Sequence, residues 1–247
     1  MFVGVMTGTS VDGLDVAAIE IGLDEKIEFI ASETTAYPPN LRDNLIALSQ
    51  AEAASISSYG ELDVALGKFI GNSVNSFLRK FGIDSKEVQA IGSHGQTIRH
   101  QPPGTTGNGE QSFTLQIGDP NQIAYITGVV TIADFRRMDI AAGGQGAPLV
   151  PLFHQRILKK QSSGAALVNI GGIANITYVE ETLLGYDIGP GNCLVDAWCQ
   201  RKLKKPYDSK GDWARTGKLN EQLLTILFIQ SATNSGSLIK HAPNLFF

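Results

Sequence analysis

One pattern constrains this chain more than any other. A short apolar strand, a turn of small polar residues and a returning apolar strand occur at the start of the sequence and again near residue 165. The first copy runs Phe2 to Met6, then Thr7-Gly8-Thr9-Ser10-Val11-Asp12-Gly13, then Leu14 to Ile21. The second runs Ala165 to Ile170, then Gly171-Gly172, then Ile173 to Val179. Leu14 to Ile21 is apolar on both alternating faces apart from Asp15 and Glu20, as strands inside a covered sheet are. The repetition predicts two similar halves, each opening with a β-hairpin.

Between the hairpins the signals alternate between helix and strand. Glu28 to Thr35 reads as a further strand. Leu41, Leu45, Ile46 and Leu48 are at helical spacing. A long helix is expected from about Ser57 to Phe81, with Leu62, Ala65, Leu66, Phe69, Ile70, Val74, Phe77 and Leu78 as its apolar stripe and Gly82 as its stop. Gln89 to Ser93 is a strand running into a His94-Gly95-Gln96-Thr97 loop, and Gln101 to Gln111 is a Pro/Gly/Thr-rich loop. Phe113, Leu115 and Ile117 alternate with Thr114 and Gln116 as a half-buried strand does. Asp119 caps a helix with Pro120 at its first position and Gly128 past its end. Val129 to Ala133 is an apolar strand that empties into Asp134-Phe135-Arg136-Arg137. Leu183 to Tyr186 leads into Asp187-Ile188-Gly189-Pro190-Gly191-Asn192, with Asn192 as cap of a helix through Leu203, and a last helix covers about Leu219 to Gln230. The two lobes are expected at 1–130 and 131–247.

Composition removes several function classes. With 247 residues, 43% hydrophobic and 18% charged, the chain can bury a sizeable core. A net charge of −4 gives no nucleic-acid or anionic-membrane surface. Phe2 to Met6 is too short for a signal core, and no stretch approaches the ~20 apolar residues of a membrane span. Cys193 and Cys199 form neither a disulfide framework nor a metal spacing, so both are expected as reduced, buried thiols of a cytoplasmic protein.

Five segments carry candidate chemistry. Gly8 to Gly13 is a turn of small residues that can aim backbone N–H groups at a phosphate, or serve as a plain hairpin loop. Asn169-Ile170-Gly171-Gly172-Ile173-Ala174-Asn175 is another glycine turn between apolar strands, a plain hairpin when taken alone, and its value lies in matching the first. Two such hairpins can hold a triphosphate from opposite sides. No G-x-x-x-x-G-K-[ST] loop and no strand-to-helix G-x-G-x-x-G is present, which excludes those two nucleotide-binding modes. Asp187 closes an apolar strand before a Gly-Pro-Gly turn, where it can serve a ligand or cap the turn. Arg136 and Arg137 can clamp an anion or pair with Asp134 or Asp139 on the surface. The glycines from Gly143 to Gly146 read as a flexible connection between halves. His94, with Gln96 and Arg99 nearby, reads as a structural histidine or as part of a polar sugar-binding wall.

Taken together, these segments resemble the anhydro-N-acetylmuramic acid kinase family. The resemblance is carried by Met6 to Asp15, Ile91 to His100, Thr114 to Pro120, Ala133 to Arg137, Ala141 to Pro151, Val168 to Thr177, Gly185 to Asn192, Tyr207-Asp208 and Gly211 to Ala214. These stretches are collinear from residue 2 to about Leu224. The resemblance implies an α/β, two-lobed actin/hexokinase-like (ribonuclease H-like) ATPase fold. It implies cleavage of the 1,6-anhydro bond of 1,6-anhydro-N-acetylmuramic acid by water, with phosphorylation of O6 by ATP, in recycling of cell-wall sugar. It assigns Asp187 as the base. It assigns Gly8, Thr9, Ser10, Val11, Asp12, Gly13, Leu14 and Asp15 to ATP, with Asn169, Gly171 and Gly172 on the opposite wall, and Gln96 and Arg136 to the sugar. Mg2+ is implied without identifiable protein ligands, and a homodimer is a further expectation. Family members continue well beyond this length, so the second lobe is expected to be incomplete, with apolar surface uncovered and 231–247 unmatched. A chain that binds the amino sugar without turnover is the alternative.

Overall fold

The computed structural model describes residues 1–8, 11–23, 26–102, 111–158, 164–179 and 183–226. Thr9, Ser10, the centre of the loop after Gln101 and the segment 227–247 therefore lie outside the described residues. The described chain divides into two compact units, 1–146 and 147–247.

The first unit is built on a five-stranded sheet. The opening hairpin forms as expected: β1 (Phe2–Thr7) pairs antiparallel with β2 (Leu14–Ile21), from Phe2 opposite Ile19 to Thr7 opposite Leu14. Next to β2 lies β3 (Ile27–Thr35), antiparallel. On the other side of β1, β4 (Ala90–Ser93) and then β7 (Thr131–Ala133) add in parallel, so the order is β3-β2-β1-β4-β7. This mixed α/β sheet agrees with the actin/hexokinase-like class. β7 pairs with β4 and its following residues bond back into the same unit. The first compact unit therefore runs on through Gly146.

Helix periodicity decides what covers the sheet. α1 (Pro39–Gln50) and the long α2 (Ile56–Phe81) form where the apolar spacing predicts them. Leu66, Ile70, Val74 and Phe77 of α2 are fully buried with Val3, Val16 and Ile91 of the sheet. Each such side chain contributes ~1.5–3 kcal/mol of burial. Ala65 of the expected stripe is instead exposed. Ser55 caps α2 by accepting from the Ser58 N–H at 3.0 Å, and Gly82 ends it in a left-handed conformation. α3 (Pro120–Thr127) has the expected Asp119 cap, Pro120 start and Gly128 stop. A two-stranded ribbon, β5 (Gln96–Gln101) with β6 (Phe113–Ile117), completes the unit's strands. Gln96 and Thr97 thus belong to a strand, leaving His94 and Gly95 as the loop. In β6, Thr114 is buried and Phe113 exposed, because the Thr114 hydroxyl bonds to His100 and Gln116 inside the ribbon.

The second unit holds an antiparallel sheet in the order β10-β9-β8, made of β8 (Ala165–Ile170), β9 (Ile173–Val179) and β10 (Leu183–Pro190). α5 (Pro151–Leu158) packs on this sheet, where His154 Nδ1 lies 2.7 Å from the buried Thr177 hydroxyl. α6 (Cys193–Leu203) follows β10. Asn192 stands at its start but makes no side-chain cap, because it already has helical backbone angles. Cys199 is buried as expected, whereas Cys193, in the first turn of α6, is exposed. Residues 221–226 are helical, and Asn220 accepts from the Leu223 N–H there. Val168, Ile170, Ile188, Leu194 and Trp198 of this unit are exposed apolar side chains. A short helix, α4 (Arg137–Ala141), lies between β7 and the glycine run of the first unit.

Candidate functional site

Three parallel strands of the first unit, β1, β4 and β7, end on one edge of the sheet. The residues just past their ends, Gly8, His94 and Asp134, therefore gather there. Open α/β sheets bind ligands at this edge.

The β1–β2 turn is held from beneath. Gln96 Nε2 donates to the Gly8 carbonyl at 3.2 Å, and Arg42 Nε donates to the Val11 carbonyl at 2.9 Å. The Val11 N–H donates to Gly8 at 3.2 Å, with Val11 at φ 51° and fully buried. A β-branched residue there stores strain, as turns at functional sites do. Leu14 is fully buried and Gly13 is buried, so this end of the turn serves the core. Asp12 and Asp15 are exposed, and Asp15 accepts from the Thr34 hydroxyl at 2.5 Å. Burial, then these two carboxylates, push the nearby Tyr37 phenol up to about 12, against the lowering effect of Thr7.

Gln96, expected at the sugar, is buried. Its side chain is 1% exposed and turned in to Gly8, leaving a buried Oε1 with no partner among the described residues. Arg136 and Arg137, adjacent in sequence, separate. Arg137 makes the surface ion pair with Asp134 at 3.3 Å. Arg136 turns inward: its Nε donates to His94 Nε2 at 2.8 Å and its Nη1 to the Gly146 carbonyl. The glycine run is also anchored, since the Gly146 N–H donates to Oδ2 of the buried Asp139 at 2.6 Å. A cavity of about 240 Å³ beside these groups is lined by Tyr59, Asp63, His94, Gln116, Asp134 and Arg137, among others.

Burial, and then the Arg136 charge, lower the His94 pKa to about 4. An unfolded histidine titrates near 6.5, so between the two values the unfolded chain binds more protons. The stability that His94 contributes is present in full above about pH 6.5 and is lost as pH falls toward 4. The loss is expected to approach about 3 kcal/mol. Denaturant melts from pH 7 to pH 4 check it: His94→Gln should flatten this dependence, and an unchanged slope would exclude His94 as its source.

In the second unit, strand register makes the site. Asn169 of β8 pairs with Asn175 of β9, and Asn175 pairs with Asp187 of β10, which sets three polar residues in one row beside the Gly171–Gly172 turn. Asp187 is within β10 and not at its end. The strand continues to Pro190 through a register shift between Asp187 and Gly189. Asp187 and Asn169 are exposed, while the buried Asn175 Oδ1 has no partner among the described residues. The turn after β10 docks on the hairpin: Gly191 and Cys193 N–H groups donate to the Gly172 carbonyl at 2.9 and 3.3 Å, and Asn192 to Gly171 at 2.8 Å. A side chain at Gly191 would overlap the Gly171 carbonyl oxygen.

The sequence places Asn175 in the glycine-turn segment, but its pairing with both Asn169 and Asp187 is set by strand register. Sequence reasoning had not singled out the His94–Arg136 pair. The His94–Arg136 contact spans 42 residues and had no local signal. Among the described residues, no cluster of three or more His, Cys, Asp or Glu side chains is placed to hold a metal, and no helix is long and apolar enough to cross a membrane.

Comparison with known proteins bears on the whole of this arrangement. The family model described as anhydro-N-acetylmuramic acid kinase matches residues 1–232. The chain is 48% identical over 233 residues to a protein of that name from Coxiella burnetii (strain RSA 493 / Nine Mile phase I), covering 93% of this chain and 60% of the relative. It is 48% identical over 230 residues to one from Saccharophagus degradans, covering 92% and 61%. It is 45% identical over 232 residues to one from Xylella fastidiosa, covering 92% and 60%. The chain thus spans about three fifths of the length of these relatives.

Proposed function

The chain belongs to the anhydro-N-acetylmuramic acid kinase family, and from that premise we propose that it acts in the ATP-dependent opening and phosphorylation of 1,6-anhydro-N-acetylmuramic acid, a step of cell-wall sugar recycling. The observation that carries the reading is the exposed Asp187 carboxylate, set in a row with Asn175 and Asn169 beside a glycine turn.

In this reaction water attacks the anomeric carbon and gives its proton to Asp187. The bond from that carbon to O6 breaks, and O6 takes the γ-phosphoryl group, leaving ADP and the 6-phosphate. Arg136 holds the sugar, with Gln96 acting one step back by fixing the Gly8 carbonyl. The first turn contributes phosphate contacts at Gly8 and the exposed Asp12, with Val11, Gly13 and Leu14 buried beneath it and its shape kept by Gln96 and Arg42. In the second unit the contributing residues are Asn169, Gly171 and Gly172. The residues present fit a Mg2+ held chiefly by the nucleotide, since the first turn offers an exposed carboxylate at Asp12 and, among the described residues, no His/Cys/Asp/Glu cluster forms a cage. When bound, Mg2+ would offset charge on the β- and γ-phosphates.

The test is to incubate the purified chain with the anhydro-sugar and Mg-ATP and look for the 6-phosphate by mass spectrometry, with sugar binding followed by calorimetry. Product is expected. Sugar binding with no product would replace the reading by binding without turnover, and absence of both would sink it.

A further inference from the structure

Two residues that line the cavity of the first unit carry buried polar atoms with nothing to bond. Ser93 ends β4 on the same sheet face as the fully buried Ile91. It is 1% exposed, and its hydroxyl has no hydrogen-bond partner among the described residues. Gln116 of β6 uses both amide hydrogens, donating to the Thr97 hydroxyl oxygen at 3.1 Å and to that of Thr114 at 2.8 Å. Those bonds fix which way the amide points. Its Oε1 is therefore an acceptor, and it too is buried without a partner among the described residues. Ser93 and Gln116 both line the cavity of about 240 Å³ beside His94. An unbonded buried polar group costs about 1–3 kcal/mol. Two on the wall of one cavity point to a ligand that bonds them.

The pair sets what that ligand must carry. Gln116 Oε1 needs a donor, and the Ser93 hydroxyl can donate to an acceptor. A secondary amide supplies one of each, an N–H and a C=O on adjacent atoms. The same cavity has an apolar side, lined by Ile117, Ala133 and Pro120, where a methyl group fits and a bare hydroxyl gains nothing. Its arginine, Arg137, is already paired with Asp134 at 3.3 Å, which favours a neutral group over an anion.

We propose that this cavity receives the acetamido group of the amino sugar. The acetamido N–H donates to Gln116 Oε1, its carbonyl accepts from the Ser93 hydroxyl, and its methyl rests against Ile117 and Ala133. Ser93 and Gln116 thereby select an acetamido sugar over one that carries a hydroxyl at the same carbon. This rests on the amino-sugar reading given under the proposed function.

The test uses the full chain and the variants Ser93→Ala and Gln116→Met. Two ligands are titrated by calorimetry: 1,6-anhydro-N-acetylmuramic acid and its analogue with a hydroxyl in place of the acetamido group. The unchanged chain is expected to bind the acetamido sugar about 10-fold or more tighter than the analogue. Ser93→Ala should lose most of that preference by weakening the acetamido sugar alone. It should melt no lower than the unchanged chain, since the hydroxyl it removes has no bond to lose. Gln116→Met should lose the preference as well; if that variant fails to fold, Ser93→Ala decides. Equal binding of the two sugars by the unchanged chain overturns the proposal. So does an equal weakening of both in Ser93→Ala, or a lower melting midpoint there. Binding of neither sugar would fail the amino-sugar reading instead. N-methylacetamide, the bare secondary amide, then tests the cavity through carbon-13 NMR of the Ile117 methyl groups. Shifts on titration that Ser93→Ala abolishes support an amide site, and shifts that are absent or survive Ser93→Ala overturn it.

Discussion

Replacing Asp187 with Asn is expected to cut formation of the 6-phosphate by about 10²–10⁴-fold, the range spanned by loss of a general base. The amide keeps the shape of the carboxylate but cannot take the proton of the attacking water. The fold should not register the change. Asp187 is exposed, and no described side chain is hydrogen-bonded to it, so the melting midpoint should stay within the ~0.5 kcal/mol typical of surface substitutions. Parallel measurement of product and of thermal unfolding separates the two effects. Turnover near that of the unchanged chain would remove Asp187 from the mechanism. A large drop in stability would mean that the position holds β10 to β9 and is not a chemical group.

Gly95→Ala should produce the largest loss of stability of any single methyl added to the first unit. Gly95 has φ +69°, a backbone conformation that costs an L-residue ~1–2 kcal/mol. The added methyl would also overlap the Ile117 carbonyl oxygen, a backbone atom of β6 that cannot swing away. Relief requires β5 and β6 to part, or the His94–Gly95 corner to move and carry the His94–Arg136 bond with it. A loss of ~3 kcal/mol or more is expected, about 10 °C in Tm for a unit of this size. Differential scanning calorimetry measures it directly. A shift below 2 °C would show that the corner is pliant and would weaken the case for a rigid edge at β1, β4 and β7.

The elements that were legible in the sequence share one property: their signals are local. The β1–β2 hairpin followed from two apolar runs around a small polar turn. α3 followed from Asp119, Pro120 and Gly128, whose cap, start and stop each act within a few residues. The stripe of α2 followed from the helical period. Asp187 and Arg136 were visible as charged residues near strand ends, but their settings were not. Asp187 lies inside a strand because β10 runs on past a register shift, which depends on pairing with β9. Gln96, read as a ligand contact, is buried because β5 lies against the β1–β2 turn.

The sequence by itself determined the β1–β2 and β8–β9 hairpins, α1, α2, α3 and α6, and the residue types available for phosphate and proton chemistry, because hydrogen bonds and apolar periodicity between near neighbours decide those. Only the tertiary structure decided which of those residues meet. β1, β4 and β7 are parallel neighbours although long segments separate them in the chain. Parallel strands end on the same edge, so Thr7, His94 and Arg136 converge there. No local pattern encodes which strands become neighbours; that choice is made by burying the shared core of Val3, Ile91, Ile70 and Phe77.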